Sequence, residues 1–166
     1  MDKTELQALQ APLKDQYRTE PDAALITLSA QGSLDDGIAC SVQTGKALVE
    51  AGLHPATGGT GALACSGDML LQALVACAGV TLRAVATSLE VPIRGGTLRA
   101  EGDLDFRGTL GVAKDASVGF TAIRLHVDLD TDAPADQVDT LLRLTERYCV
   151  VLQTLANSPK LELVRP

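Results

Sequence analysis

A chain of 166 residues is one domain's worth of sequence, long enough to bury a core of its own. A net charge of −7 with no lysine or arginine run excludes phosphate backbones and anionic membrane surfaces as partners. An aromatic content of 2% with no Trp leaves no platform for stacking bases and requires a core of Leu, Val, Ala and Ile.

Residues 3 to 18 read as a short helix with a break expected at Pro12. Residues 23 to 31 are strand-like, the run from Gly32 to Gly37 has turn chemistry, and Ile38 to Thr44 returns as a second strand, so the three predict a hairpin. Lys46 to Leu53 fits either a third strand or a short helix. The glycine-rich stretch from His54 to Gly61 lacks the G-K-[ST] ending of a phosphate loop and reads as a connector.

Ser66 is the expected N-cap of a long helix reaching about Leu89. That helix is apolar almost all round, so it should lie inside a sheet or against a second copy of the chain. Leu98 to Arg107 and Phe120 to Leu129 alternate as half-exposed antiparallel strands. A second helix is expected from Pro134 to Asn157, with Val138, Leu141, Leu142, Thr145, Cys149, Leu152 and Leu155 on its inward stripe. Leu161 to Val164 reads as a last edge strand. The order predicts an α+β fold without repeats or linkers.

No uncharged stretch of about twenty residues is present, so no membrane span is expected. The opening Met-Asp-Lys-Thr-Glu-Leu lacks the basic-then-apolar order of a secretory signal, which points to the cytoplasm. In a reducing compartment, cysteines are free, catalytic or metal-binding more often than they are disulfides. Cys40, Cys65, Cys77 and Cys149 include no C-x-x-C pair and have only His54 and His126 for company, so neither a metal nor a bound cofactor is expected.

Chemistry, if present, therefore rests on sulfur. A thiol with an ordinary pKa of about 8.5 is mostly protonated at neutral pH, and a nearby guanidinium converts it to the nucleophilic thiolate, so the scheme needs two facing sulfurs, one arginine and an apolar pocket. Such a thiolate can reduce a hydroperoxide and become a sulfenic acid, which a second cysteine closes to a disulfide. Cys77 and Cys149, both in apolar helical surroundings, could supply the two sulfurs. The competing reading is that they are small buried hydrophobes. Cys40 and Cys65 read as packing residues.

The segment Leu70-Leu-Gln-Ala-Leu-Val-Ala-Cys77-Ala-Gly-Val-Thr-Leu82, followed by Glu146-Arg-Tyr-Cys149-Val-Val-Leu152, resembles the OsmC/Ohr family over residues 20 to 165. The resemblance implies an N-terminal helical segment (1–20) and a single OsmC-like domain (21–166). In that domain antiparallel sheets pack around a long buried central helix, and two chains form an intertwined homodimer. It further implies reduction of organic hydroperoxides by a thiol reductant, with Cys77 as the peroxidatic thiolate and Cys149 as the resolving thiol. Leu, Val and Met walls would favour lipophilic peroxides over hydrogen peroxide.

The chain departs from the family pattern at three points. Gly67 and Asp68 stand where the family has a glutamate, the hairpin tip from Ser33 to Asp36 lacks the family's arginine, and Val150 replaces the proline after the second cysteine. Arg18 is the expected substitute for that arginine and Asp68 for the glutamate. Arg83 and Arg147 point elsewhere by helical spacing. The alternative function is a non-catalytic module that holds a small lipophilic ligand at a dimer pocket, or a redox sensor.

Overall fold

A computed structural model describes residues 2–19, 31–34, 39–44, 47–111 and 113–165. The elements in chain order are helix α1 (Lys3–Thr19), strands β1 (Gln31–Leu34), β2 (Ala39–Thr44) and β3 (Ala47–Gly52), helix α2 (Ser66–Leu89), strand β4 (Gly95–Asp103), the one-turn helix α3 (Phe106–Thr109), strand β5 (Ala122–Asp130), and helices α4 (Ala135–Tyr148) and α5 (Val150–Ala156). The chain forms two compact units. One holds residues 1–11, 73–99 and 126–166, and the other holds 12–72 and 100–125.

The second unit is built on an antiparallel sheet in the order β1-β2-β3. Gln31 pairs with Gln43 and Leu34 with Cys40, while Thr44 pairs with Ala47 and Ala39 with Gly52. The 47–52 stretch is thus a strand, as its β-branched and small residues permit. The hairpin differs from expectation in its bounds. Gly32 to Leu34, expected to turn, belong to the strand, and 20–30 and 35–38 lie outside the described residues.

The glycine-rich stretch is not a loose connector. A single 3-10 turn at Pro55–Thr57 follows His54, whose Nδ1 accepts from the Ala56 N–H, and Gly58 closes the turn in the left-handed region at φ 92°. A Cβ on Gly59 would fall 1.8 Å from the Leu53 carbonyl oxygen, so no other residue fits that approach. Main-chain bonds from Gly52 N to Ala64 O (3.0 Å) and from Ala64 N to Glu50 O (3.1 Å) then lash the chain to β3 just before α2 begins.

α2 runs over the expected span, but its first turn starts one residue early. The Cys65 carbonyl accepts from Met69 N–H at 3.1 Å, so Cys65 occupies the cap position and Ser66 the first helical one. By length and composition α2 is apolar enough to cross a membrane. It also supplies Leu74, Ala78, Leu82 and Ala86 as core residues at four-residue spacing.

In the first unit Leu82, Ala86, Val91 and Leu141 form one buried cluster, with Val85, Ile93, Val127, Leu129 and Leu142 packed around it. β4 and β5 form a two-stranded sheet. Arg94 N–H reaches Asp130 O at one end and Thr121 N–H reaches Asp103 O at the other, so the strands are antiparallel. β4 stops at Asp103, and the Asp105 carboxylate caps the N–H of Arg107, turning residues 106–109 into α3 instead of a longer strand. Leu161 to Val164 form no strand and Leu163 is fully exposed; among the described residues no strand pairs with them.

The expected single helix from Pro134 to Asn157 is two helices. Cys149, at φ −72° and ψ 108°, leaves the helical region and ends α4 while opening α5. No proline or glycine marks the break. Tyr148, Cys149, Val150 and Val151 are all middling or poor helix formers, and the carbonyl freed at Glu146 is covered by Gln153 Nε2 at 2.9 Å.

Candidate active site

Leu141, Thr145 and Cys149 repeat at four-residue spacing along α4, and all three are buried, Cys149 with 0% of its surface exposed. Thr145 is satisfied within the helix, its hydroxyl donating to Leu141 O at 2.8 Å. The same buried face therefore delivers the Cys149 sulfur to the core side of the chain break.

Cys77, half-buried on α2, is its neighbour: both thiols are free, and each is among the groups that shift the other's acidity. Burial pushes the Cys77 thiol up, but four donors outweigh it and hold Cys77 below the ordinary thiol range: the Val151 N–H, the Cys149 thiol, the Val150 N–H and the Thr81 hydroxyl. Burial pushes Cys149 up as well, and the N–H groups of Leu152 and Val151 only partly offset the effect of the Cys77 sulfur. The pair is asymmetric: Cys77 gives up its proton more readily than an ordinary thiol, and Cys149 holds its own more tightly.

The structure thus brings Cys77 and Cys149 together. Arg18 lies on α1, and its side chain is outside the described residues. Asp68 lies in the first turn of α2, in the second unit, where it lines a cavity of about 380 Å³ with His54, Cys65, Phe106 and Phe120. The His54 ring stacks on Phe106 at 4.9 Å between centroids. Arg83 donates from Nη1 to Ile93 O at 2.9 Å, and the Arg147 guanidinium sits over the Tyr148 ring at 5.5 Å. Cys40 lies on β2, and its side chain is outside the described residues.

Three contributors escaped sequence reasoning. Thr81 carried a usable signal, because a hydroxyl four residues after Cys77 shares its helical face. Val150 and Val151 carried none, since they act through main-chain N–H groups that only the break at Cys149 releases.

The OsmC family model, described as OsmC-like protein, matches residues 59–164. No curated protein matches the chain. Among solved structures, an OsmC-like protein from Mycoplasma pneumoniae aligns with a TM-score of 0.68 at 14% identity, covering 80% of this chain and 89% of its own. An organic hydroperoxide resistance protein from Elizabethkingia anophelis gives 0.64 at 17%, covering 81% and 91%. An organic hydroperoxide resistance protein OsmC from Legionella pneumophila gives 0.63 at 16%, covering 81% and 92%. At such identities the likeness concerns the fold, an antiparallel α+β arrangement with one long apolar helix. The family model spans well over half of the sequence and both cysteines, and the chain belongs to the OsmC-like protein family.

Proposed function

We propose that the protein is a thiol-dependent peroxidase that reduces organic hydroperoxides, with Cys77 as the peroxidatic thiolate and Cys149 as the resolving thiol. One observation carries this reading. Two sulfurs in contact hold opposite protonation preferences, Cys77 toward thiolate and Cys149 toward thiol. A pair of packing residues has no need of that asymmetry.

The Cys77 thiolate attacks the outer oxygen of the hydroperoxide, forming an S–O bond as the O–O bond breaks. The alkoxide leaves and takes a proton from water. Cys77 has lost two electrons and is a sulfenic acid, and the peroxide has become an alcohol. Cys149 then attacks the Cys77 sulfur. The S–S bond forms, the S–O bond breaks, and the hydroxide departs as water with the Cys149 proton. A thiol reductant returns two electrons and frees both thiols. Proteins of similar fold in Legionella pneumophila and Elizabethkingia anophelis are named for organic hydroperoxide resistance, in keeping with this substrate class.

A homodimer and a reducing, cytoplasmic setting belong to the same proposal. Val80 on α2 is 73% exposed, an apolar surface that a second copy would cover. The test is single-turnover reduction of cumene hydroperoxide by the reduced protein. Loss of one peroxide and two thiols, abolished in Cys77→Ser, is expected. Equal slow loss in both proteins would overturn the reading and favour a ligand-binding module.

A further inference from the structure

The second unit holds a cavity of about 380 Å³ that the thiol pair does not use, since neither Cys77 nor Cys149 lines it. Small-molecule sites have volumes of about 300–1,000 Å³, so this one is large enough for a ligand. The sequence has only two phenylalanines, and both Phe106 and Phe120 stand here, half-buried and outside the buried core. Each ring is fixed by a neighbour. The His54 ring stacks on Phe106 with 17° between the planes. Phe120 lies against the bare backbone of Gly102, where a Cβ would fall 2.4 Å from its Cε1.

Two carboxylates line the same cavity, and they differ. Asp103 is neutralised by Arg124, whose two terminal nitrogens donate to its two oxygens at 2.6 and 2.7 Å. Asp68, exposed in the first turn of α2, has no ion pair or hydrogen bond among the described residues. No lysine or arginine lines the cavity, so Asp68 leaves one uncompensated negative charge beside aromatic rings. That combination recognises an organic cation, because the carboxylate takes the charge and the ring faces attract it as well. We propose that this cavity binds a small flat organic cation, an aromatic amidine or arylalkyl amine, with Asp68 as its anion and Phe106 and Phe120 against its ring. The inference goes beyond the peroxidase reading and stands without it.

The probes are benzamidine, benzamide and benzoate, which share nearly one shape and are positive, neutral and negative at neutral pH. Each is titrated into the reduced, isotopically labelled full-length chain, and the amide resonances of Gly67, Gly102 and Phe106 are followed. Benzamidine should saturate these shifts and bind roughly tenfold tighter than benzamide, and benzoate should not bind. Asp68→Asn should weaken benzamidine roughly tenfold and leave benzamide unchanged, while Phe106→Leu should weaken both. A second readout needs no variant, because the Cys65 thiol lines the cavity. Saturating benzamidine should slow iodoacetamide alkylation of Cys65 and leave that of Cys77 alone, and benzoate should slow neither. Benzoate binding as tightly as benzamidine, shifts that never saturate, or an unprotected Cys65 would overturn the proposal. So would binding that appears only in Arg18→Ala, since the chain's own guanidinium would then be the occupant. Neither assay uses a peroxide, so benzamidine binding without peroxide turnover would sink the peroxidase reading alone.

Discussion

Replacing Cys149 by alanine separates its two roles, donor and resolving thiol. As a donor, its S–H is one of four groups holding Cys77 below the ordinary thiol range. A hydrogen bond to a charged group contributes about 1.5–3 kcal/mol, and a thiol donor belongs at the weak end of that range. Its loss should therefore raise the Cys77 pKa by about one unit. The sign follows from the direction of the shift. Protonation silences the nucleophile, so the rate of the first step falls as pH drops through the Cys77 pKa, and in Cys149→Ala that fall begins at higher pH. At pH values below the Cys77 inflection peroxide reduction should slow about tenfold, while at high pH the two proteins should react alike.

As the resolving thiol, Cys149 accounts for the second thiol consumed. Cys149→Ala should lose one thiol per peroxide and leave a sulfenic acid open to over-oxidation. The variant should still fold, since removing one fully buried sulfur costs on the order of 1 kcal/mol. The assay combines stopped-flow peroxide loss across pH with a thiol count at the end of a single turnover. Two thiols lost per peroxide in the variant, or an unmoved pH profile, would refute the division of labour between the sulfurs.

Thr81→Val removes the last-ranked of the four donors at nearly constant shape, and should raise the Cys77 alkylation inflection by roughly half a unit. A shift larger than that of Cys149→Ala would contradict the ordering of donors. Leu141→Ala, at a fully buried position of the cluster with Leu82, Ala86 and Val91, should cost about 2–5 kcal/mol. Urea unfolding should read this as a lower midpoint at unchanged slope, and a loss below about 1 kcal/mol would mean that the cluster is not the core.

The legible parts of the site were those carried by side chains with periodic spacing. Leu141, Thr145 and Cys149 lie on the buried face of α4, as their periodic spacing required. The inward placement of Cys149 was thus readable, because it follows the spacing of the buried positions before it. Arg83 and Arg147, expected from helical spacing to point elsewhere, are engaged with Ile93 O and the Tyr148 ring. Leu74, Ala78, Leu82 and Ala86 form the buried face of α2, which the sequence, apolar almost all round this helix, did not single out.

Main-chain conformation was not legible where tertiary contacts outweigh local preference. Cys149 leaves the helical region with no proline or glycine to announce it, and Gln153 satisfies the carbonyl it frees. Leu161 to Val164 alternate as a strand would, but a strand needs a neighbour, and pairing is a property of the folded chain. Asp105 ends the strand reading early by capping α3.

The sequence by itself determined the α+β element order, the long apolar helix and the inward placement of Cys149, because hydrophobic period and side-chain identity are local properties of the chain. Only the tertiary structure decided that Cys77 and Cys149 perturb each other's acidity in opposite directions. Hydrogen-bond geometry and desolvation arise from what surrounds a group in space, and those neighbours are distant in sequence.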